Sequence, residues 1–224
     1  MSNNESGKAL AVPATFGSAV LKKIADIVSV DPAKVLVDAK EIGIPVESLD
    51  EFRNNNRANR HAVDQLTSKY INQCAKICAL TGAASGVGGI ATVVALSAGD
   101  IGNMAAQLYR LNQKIAILHG FDPDNELHQD KVLVFYLSAI GIEGAAQVGI
   151  RTMVTKALAE NVGKKGAASS VGIRIIMEVV KLLGVTMTKR QAVKIIPFFG
   201  AGVGAGLNYL FAKTAGKTLG EAYR

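Results

Sequence analysis

From Phe16 to Val30 the apolar residues Phe16, Val20, Ile24, Ile27 and Val28 fall on one side of a helical wheel, with Lys22, Lys23 and Asp26 elsewhere. Asp31-Pro32 then supplies a capping carboxylate followed by proline, predicting a helix to about Lys40 that Gly43 and Pro45 end. Ser48-Leu49-Asp50-Glu51 has the cap-plus-acid pattern of another helix start. The polar stretch 53–60 fits a loop or a solvated helical turn. A long helix is expected from His61 to Leu80, interrupted or tightly packed at Gly82, Gly86, Gly88 and Gly89, with an apolar helix resuming through Leu96. Asp100 is read as the start of a strongly periodic helix in which Ile101, Met104, Ala105, Leu108, Leu111, Ile115 and Leu118 share one side, ended by Gly120. After a turn at 121–125, helices are expected from Glu126, over 130–160, 168–184 and 188–218. Sustained strand alternation is missing, so the fold class is all-α. The expected division is a polar tail at 1–8, a helical segment at 9–60 and a helical domain at 61–224.

Two stretches carry no charge at all. One runs from Ile77 to Gly99 and ends on Asp100, and the other runs from Ile195 to Ala212. Each has the length of a membrane-spanning helix, about 20 residues. Both are rich in Gly, Ala, Ser and Thr, a composition suited to helices pressed closely together. Gly200, Gly204 and Gly202, Gly206 form two interleaved GxxxG faces, for which Gly82 and Gly86 are the natural counterpart. The reading is a multi-helix domain whose two glycine-rich, uncharged segments pack together.

Composition sharpens this. Hydrophobic residues make up 49%, mean hydropathy is +0.25, aromatics are 5% and Trp is absent, so stability must come from close helix approach rather than large aromatic anchors. The net charge of +7 is uneven: residues 1–150 carry 13 basic and 15 acidic side chains, whereas 151–224 carry 12 basic against Glu160, Glu178 and Glu221. A cationic third beside an apolar glycine run points to anionic lipid rather than nucleic acid, because stacking aromatics are sparse there. Lys189, Arg190, Lys194, Lys213 and Lys217 bracket the glycine ladder and are the candidate headgroup contacts. A solvated cationic surface is the plainer alternative. The first residues lack the basic and apolar regions of a secretory signal, so a cytoplasmic location is expected, at the inner face of the membrane.

Candidate chemistry is thin. Thr81-Gly82-Ala83-Ala84-Ser85-Gly86-Val87-Gly88 matches the TGxxxGxG loop of NAD(P)-dependent short-chain dehydrogenases, and Tyr209 with Lys213 gives their Y-x-x-x-K spacing. That loop should follow a first strand, yet about 80 residues of helical pattern precede it here. Gly216-Lys217-Thr218 looks like the end of a P-loop without its first glycine. Cys74 and Cys78, spaced i, i+4, share a helix face and suit buried reduced thiols. Asp100 and Glu143 sit in otherwise apolar surroundings. Asp100 fits a helix cap, while a sharper reading pairs it with Glu143, near His119 or Gln107, in a metal-dependent or proton-moving site. His119 precedes a helix-ending glycine, where interaction with the helix carbonyls explains it. No cofactor or small-molecule substrate is inferred.

Three ordered segments resemble the EcsC protein family of bacteria. Ala106-Gln107-Leu108-Tyr109-Arg110 through Ile115-Ala116-Ile117-Leu118-His119-Gly120-Phe121-Asp122 is similar to its Gln-Leu helix leading into a Gly-aromatic-Asp turn. Thr81 to Asp100 resembles its glycine-rich stretch closing on an aspartate, and Lys194-Ile195-Ile196-Pro197 through Asn208 its lysine-x-x-proline glycine ladder. Gly172 and Leu182 to Lys189 sit where the family has a glycine-containing helix and a polar turn. The resemblance spans His61 to Tyr223. It implies an α-helical, membrane-associated bacterial protein, with a membrane protein complex as a further partner, and carries over no catalytic set. The function expected is non-enzymatic and membrane-associated.

Overall fold

In a computed structural model, residues 18–55, 58–85, 90–122, 125–160, 167–192 and 201–224 are described, and among them the chain forms nine helices and no strand. The first three helices follow their local signals. Helix α1 spans Ser18–Val28, and Asp31 caps α2, Pro32–Glu41, by accepting the Ala33 amide at 3.0 Å. Ser48 accepts the Glu51 amide at 3.3 Å to start α3, Leu49–Asn55, while the Glu51 carboxylate reaches back to the Glu47 amide at 2.7 Å. This is a capping box shifted by one residue.

The remaining helices are α4 (Arg60–Ser85), α5 (Ile90–Leu118), α6 (Glu126–Ala139), α7 (Gly144–Glu160), α8 (Ala167–Ala192) and α9 (Ala201–Ala222). Three of the nine end in the same device. At Gly43, Gly120 and Gly141, φ lies between 75° and 84°, and paired backbone bonds close the turn. After α5 these are Phe121 N–H to Ala116 O at 3.0 Å and Gly120 N–H to Ile117 O at 2.9 Å. Gly141 does the same for α6, which splits the helix expected over 130–160 in two: Ile142 N–H reaches Leu137 O at 2.8 Å.

Asp100 is a second correction. It lies inside α5, which begins at Ile90, so it starts no helix and caps none. Nothing in 90–100 breaks the helix, and the uncharged residues before Asp100 simply continue the periodicity after it.

α5 is the central helix. It packs against α1, α2, α3, α4, α6, α8 and α9, and its buried positions, among them Met104, Leu108, Asn112, Ile115 and Leu118, surround its axis. α6 runs antiparallel to it, with Asn112 donating to Val132 O at 2.9 Å and Tyr136 to Ala105 O at 3.0 Å. α9 runs antiparallel to α4: Asn208 meets Cys78, Gly216 meets Ile71, Gly220 meets Thr67 and Arg224 meets Asp64. One continuous apolar core takes residues from α1, α2 and α3 as well as from the later helices, including Ile24, Val35 and Phe52.

Candidate functional site

The antiparallel register of α4 and α9 has a consequence for the two uncharged runs. Asn208 Nδ2 donates to Cys78 O at 3.4 Å, so residues separated by 130 positions meet where each run begins or ends its uncharged course. The charge-free part of α4 after Lys76 and that of α9 before Lys213 therefore lie side by side at one end of the molecule. Among the described residues, the first run supplies the end of α4 and the start of α5, and 201–212 of the second lie in α9. No helix among the described residues is long and apolar enough to cross a membrane. The same end exposes large apolar side chains: Leu80 is 72% exposed, Leu207 62%, Leu210 61% and Ile77 41%.

Among the described residues, the closest approach of α4 and α9 at a glycine lies at Gly216. A Cβ on Gly216 would lie 2.9 Å from Ile71 Cγ2 and 3.2 Å from Leu111 Cδ2, and one on Gly220 would lie 3.4 Å from Thr67 Cγ2. Gly206, by contrast, is exposed and a Cβ there would meet nothing within 4 Å, so its missing side chain brings no helix nearer. Packing around Gly82, Gly202 and Gly204, and the placement of Gly86 and Gly200, lie outside the described residues. Gly216-Lys217-Thr218-Leu219-Gly220 is itself a GxxxG pattern; reading its first three residues as a P-loop remnant hid the spacing.

The cations are distributed unevenly in space. Arg151 forms a two-pronged pair with Asp130 (2.9 and 2.7 Å), Arg224 pairs with Asp64 at 3.0 Å, and Lys181 with Glu178 at 2.9 Å. Arg174 approaches Glu160 at 3.8 Å. Acids from the first 150 residues thus offset part of the basic third. Lys213 donates to Asn72 through its ammonium and is half-buried. Lys217 is exposed on α9 and Lys76 on α4, one turn from Leu80. The side chains of Lys189, Arg190 and Lys194 lie outside the described residues.

Glu143 is exposed in the turn between α6 and α7, not within an apolar helix, and the side chain of Asp100 lies outside the described residues. Among the described residues no group of three or more His, Cys, Asp or Glu could hold a metal ion. His119 stacks on Tyr223, ring centroids 5.6 Å apart, and burial lowers its pKa to about 4, against a smaller opposing pull from Asp64. It is therefore neutral near pH 7. Thr81 to Ser85 continue α4, with the Thr81 hydroxyl donating to Cys78 O at 3.0 Å, so this stretch is no loop after a strand. Without a βαβ unit the dehydrogenase motif loses its physical basis. Both cysteines are free and buried, and the Cys78 hydrogen bond, then burial, push the Cys74 thiol far above its ordinary range.

Sequence reasoning missed one polar cluster. The Tyr70 hydroxyl donates to Asp38 Oδ2 at 2.5 Å, and Lys114 lies 3.7 Å from that carboxylate and 4.1 Å from the Tyr70 ring centre. It ties α2, α4 and α5 together. Its residues are far apart in sequence and no local spacing announces them.

No curated protein and no solved structure matches the chain. A model of the EcsC protein family matches residues 9–224, taking in the N-terminal helices that share the core as well as the three segments that carry the resemblance. The chain belongs to the EcsC protein family.

Proposed function

We propose that the protein is a peripheral membrane protein that sets its uncharged end into the headgroup layer of an anionic bilayer. The observation that carries this reading is the convergence of the two uncharged runs beside exposed Leu80, Leu207 and Leu210. Exposed leucines gathered on the paired ends of two helices favour a partner that covers them. Moving three largely exposed leucines out of water gives about 1–2 kcal/mol each, about 4 kcal/mol together, which is weak and reversible on its own. Exposed Lys76 adds about 1 kcal/mol near an anionic surface. The role is a non-enzymatic one at the inner face of the membrane, where a membrane protein complex is a further candidate partner.

Co-sedimentation with vesicles tests this. Vesicles containing phosphatidylglycerol should carry the protein down at low salt, pure phosphatidylcholine vesicles much less, and 0.5 M salt should weaken binding without abolishing it. Leu80→Asp with Leu207→Asp should leave the folded protein in the supernatant. Binding unaffected by that pair sinks the proposal.

A further inference from the structure

Along the seam between α4 and α9, cations gather around one amide. Lys213 Nζ of α9 donates to Asn72 Oδ1 of α4. Lys69 stands three residues before Asn72 and Lys76 four after it, spacings that place all three on one face of α4. Lys69 and Lys76 are exposed, Asn72 and Lys213 are half-buried, and the three α4 residues line one open depression on the surface. Among the described residues Lys69, Lys76 and Lys213 form no ion pair, in contrast with Arg151, Lys181 and Arg224.

The nearby acids are engaged elsewhere or lie farther along the helices. α4 carries Asp64, which Arg224 holds at 3.0 Å. α9 carries Glu221, two turns beyond Lys213 and one beyond Lys217. Asp38 of α2 accepts the Tyr70 hydroxyl and lies 3.7 Å from Lys114. Ammonium groups brought together without a counter-charge repel one another, and an anion set among them relieves this. An ammonium has only donors, so the Asn72 amide turns its oxygen to Lys213 and keeps Nδ2 as a donor for another group.

We infer that this seam is a binding site for a phosphate group, with Lys69, Lys76 and Lys213 supplying the charge and Asn72 Nδ2 a directed hydrogen bond. A phosphate has the charge and the acceptor oxygens to engage several ammonium groups at once, each acting as a point charge. Exposed Lys217, one turn from Lys213, borders the site on the side away from Leu80. The phosphate belongs either to a lipid headgroup or to a soluble phosphate ester, and the site does not depend on membrane attachment.

Inorganic tripolyphosphate is the probe, titrated into the full chain and followed by calorimetry in about 0.1 M salt, where exposed charges beyond about 10 Å are screened. Saturable binding of one anion per chain is expected. Lys69→Gln with Lys76→Gln should weaken it by about tenfold or more. Lys22→Gln with Lys156→Gln removes the same charge from exposed positions on α1 and α7 and should change it by less than about twofold. Asn72→Asp keeps the size of the side chain and an acceptor for Lys213, so the fold is retained while the added carboxylate abolishes binding. The source of the phosphate is read by offering vesicles containing phosphatidylglycerol to protein saturated with tripolyphosphate. Loss of co-sedimentation assigns the site to a lipid headgroup. Sedimentation equal to that without tripolyphosphate, including none in either case, assigns it to a soluble phosphate ester. No saturable binding, an equal loss in the two lysine pairs, or undiminished binding by Asn72→Asp overturns the inference.

Discussion

Replacing Gly216 by Ala sets two effects of opposite sign against each other. In a helix interior Ala is favoured over Gly by about 1 kcal/mol. The added methyl would stand 2.9 Å from Ile71 Cγ2, 3.2 Å from Ile71 Cγ1 and 3.2 Å from Leu111 Cδ2. Ile71 is β-branched within a helix and has essentially one χ1 well, so it does not swing aside, and α9 must move away from α4. Overpacking of this kind costs about 1–3 kcal/mol, so the net expectation is a loss of about 1–2 kcal/mol. Gly206→Ala in the same helix meets nothing within 4 Å and should gain up to about 1 kcal/mol. Urea unfolding followed by far-ultraviolet circular dichroism reads both: with a slope of about 2–3 kcal/mol per molar, the midpoints should move apart by about 1 M. Ile71→Ala combined with Gly216→Ala should be less destabilised than the separate changes predict, because the first removes the atoms the second strikes. If Gly216→Ala raised the midpoint as Gly206→Ala does, or the pair proved additive, the close approach of α4 and α9 at this glycine would be wrong.

Three further outcomes follow from the same structure. Tyr223 donates to Oδ1 of the buried Asn112 at 2.9 Å, so Tyr223→Phe leaves that acceptor unpaired and should cost about 1–3 kcal/mol in urea unfolding. Burial lowers the His119 pKa to about 4 from an ordinary 6.5; the unfolded chain then binds the extra proton between these values, so this contribution is complete above pH 6.5 and lost as pH falls toward 4. The difference in urea midpoint between the unaltered protein and His119→Gln should therefore shrink over that window, with Asp64 and Arg224 the charged groups facing the ring. Gly141 has φ 80° and open space around it, so Gly141→Ala tests backbone strain alone and should lower stability by about 1 kcal/mol.

What was legible in the sequence was whatever is decided locally. Asp31-Pro32, Ser48 with Glu51, Asn125 and Gly120 each start or stop a helix within a few residues, and each does so here. Asp100 misled because a residue type that suits a cap also tolerates a helix interior, and only the flanking backbone distinguishes them. Gly141 was overlooked because the apolar residues on either side read as one periodic run. The candidate site was legible as composition but not as geometry. The uncharged runs stand out in one dimension, whereas their meeting depends on the α4–α9 register, which no local spacing in the sequence announces. Lys213 was taken for a surface cation because nothing in its neighbourhood in sequence points to Asn72, 141 positions away.

The central claim is that the end of the molecule bearing Leu80 and Leu207 is the part that enters a bilayer. The chain has no Trp, so a single Trp introduced at either position is the only such fluorophore. On addition of vesicles containing phosphatidylglycerol, emission from Leu80→Trp and Leu207→Trp should shift to the blue and resist an aqueous quencher. Leu127→Trp, 83% exposed at the start of α6, should keep its emission. Equal shifts at all three positions, or none at 80 and 207 under conditions where the protein binds vesicles, would contradict the account.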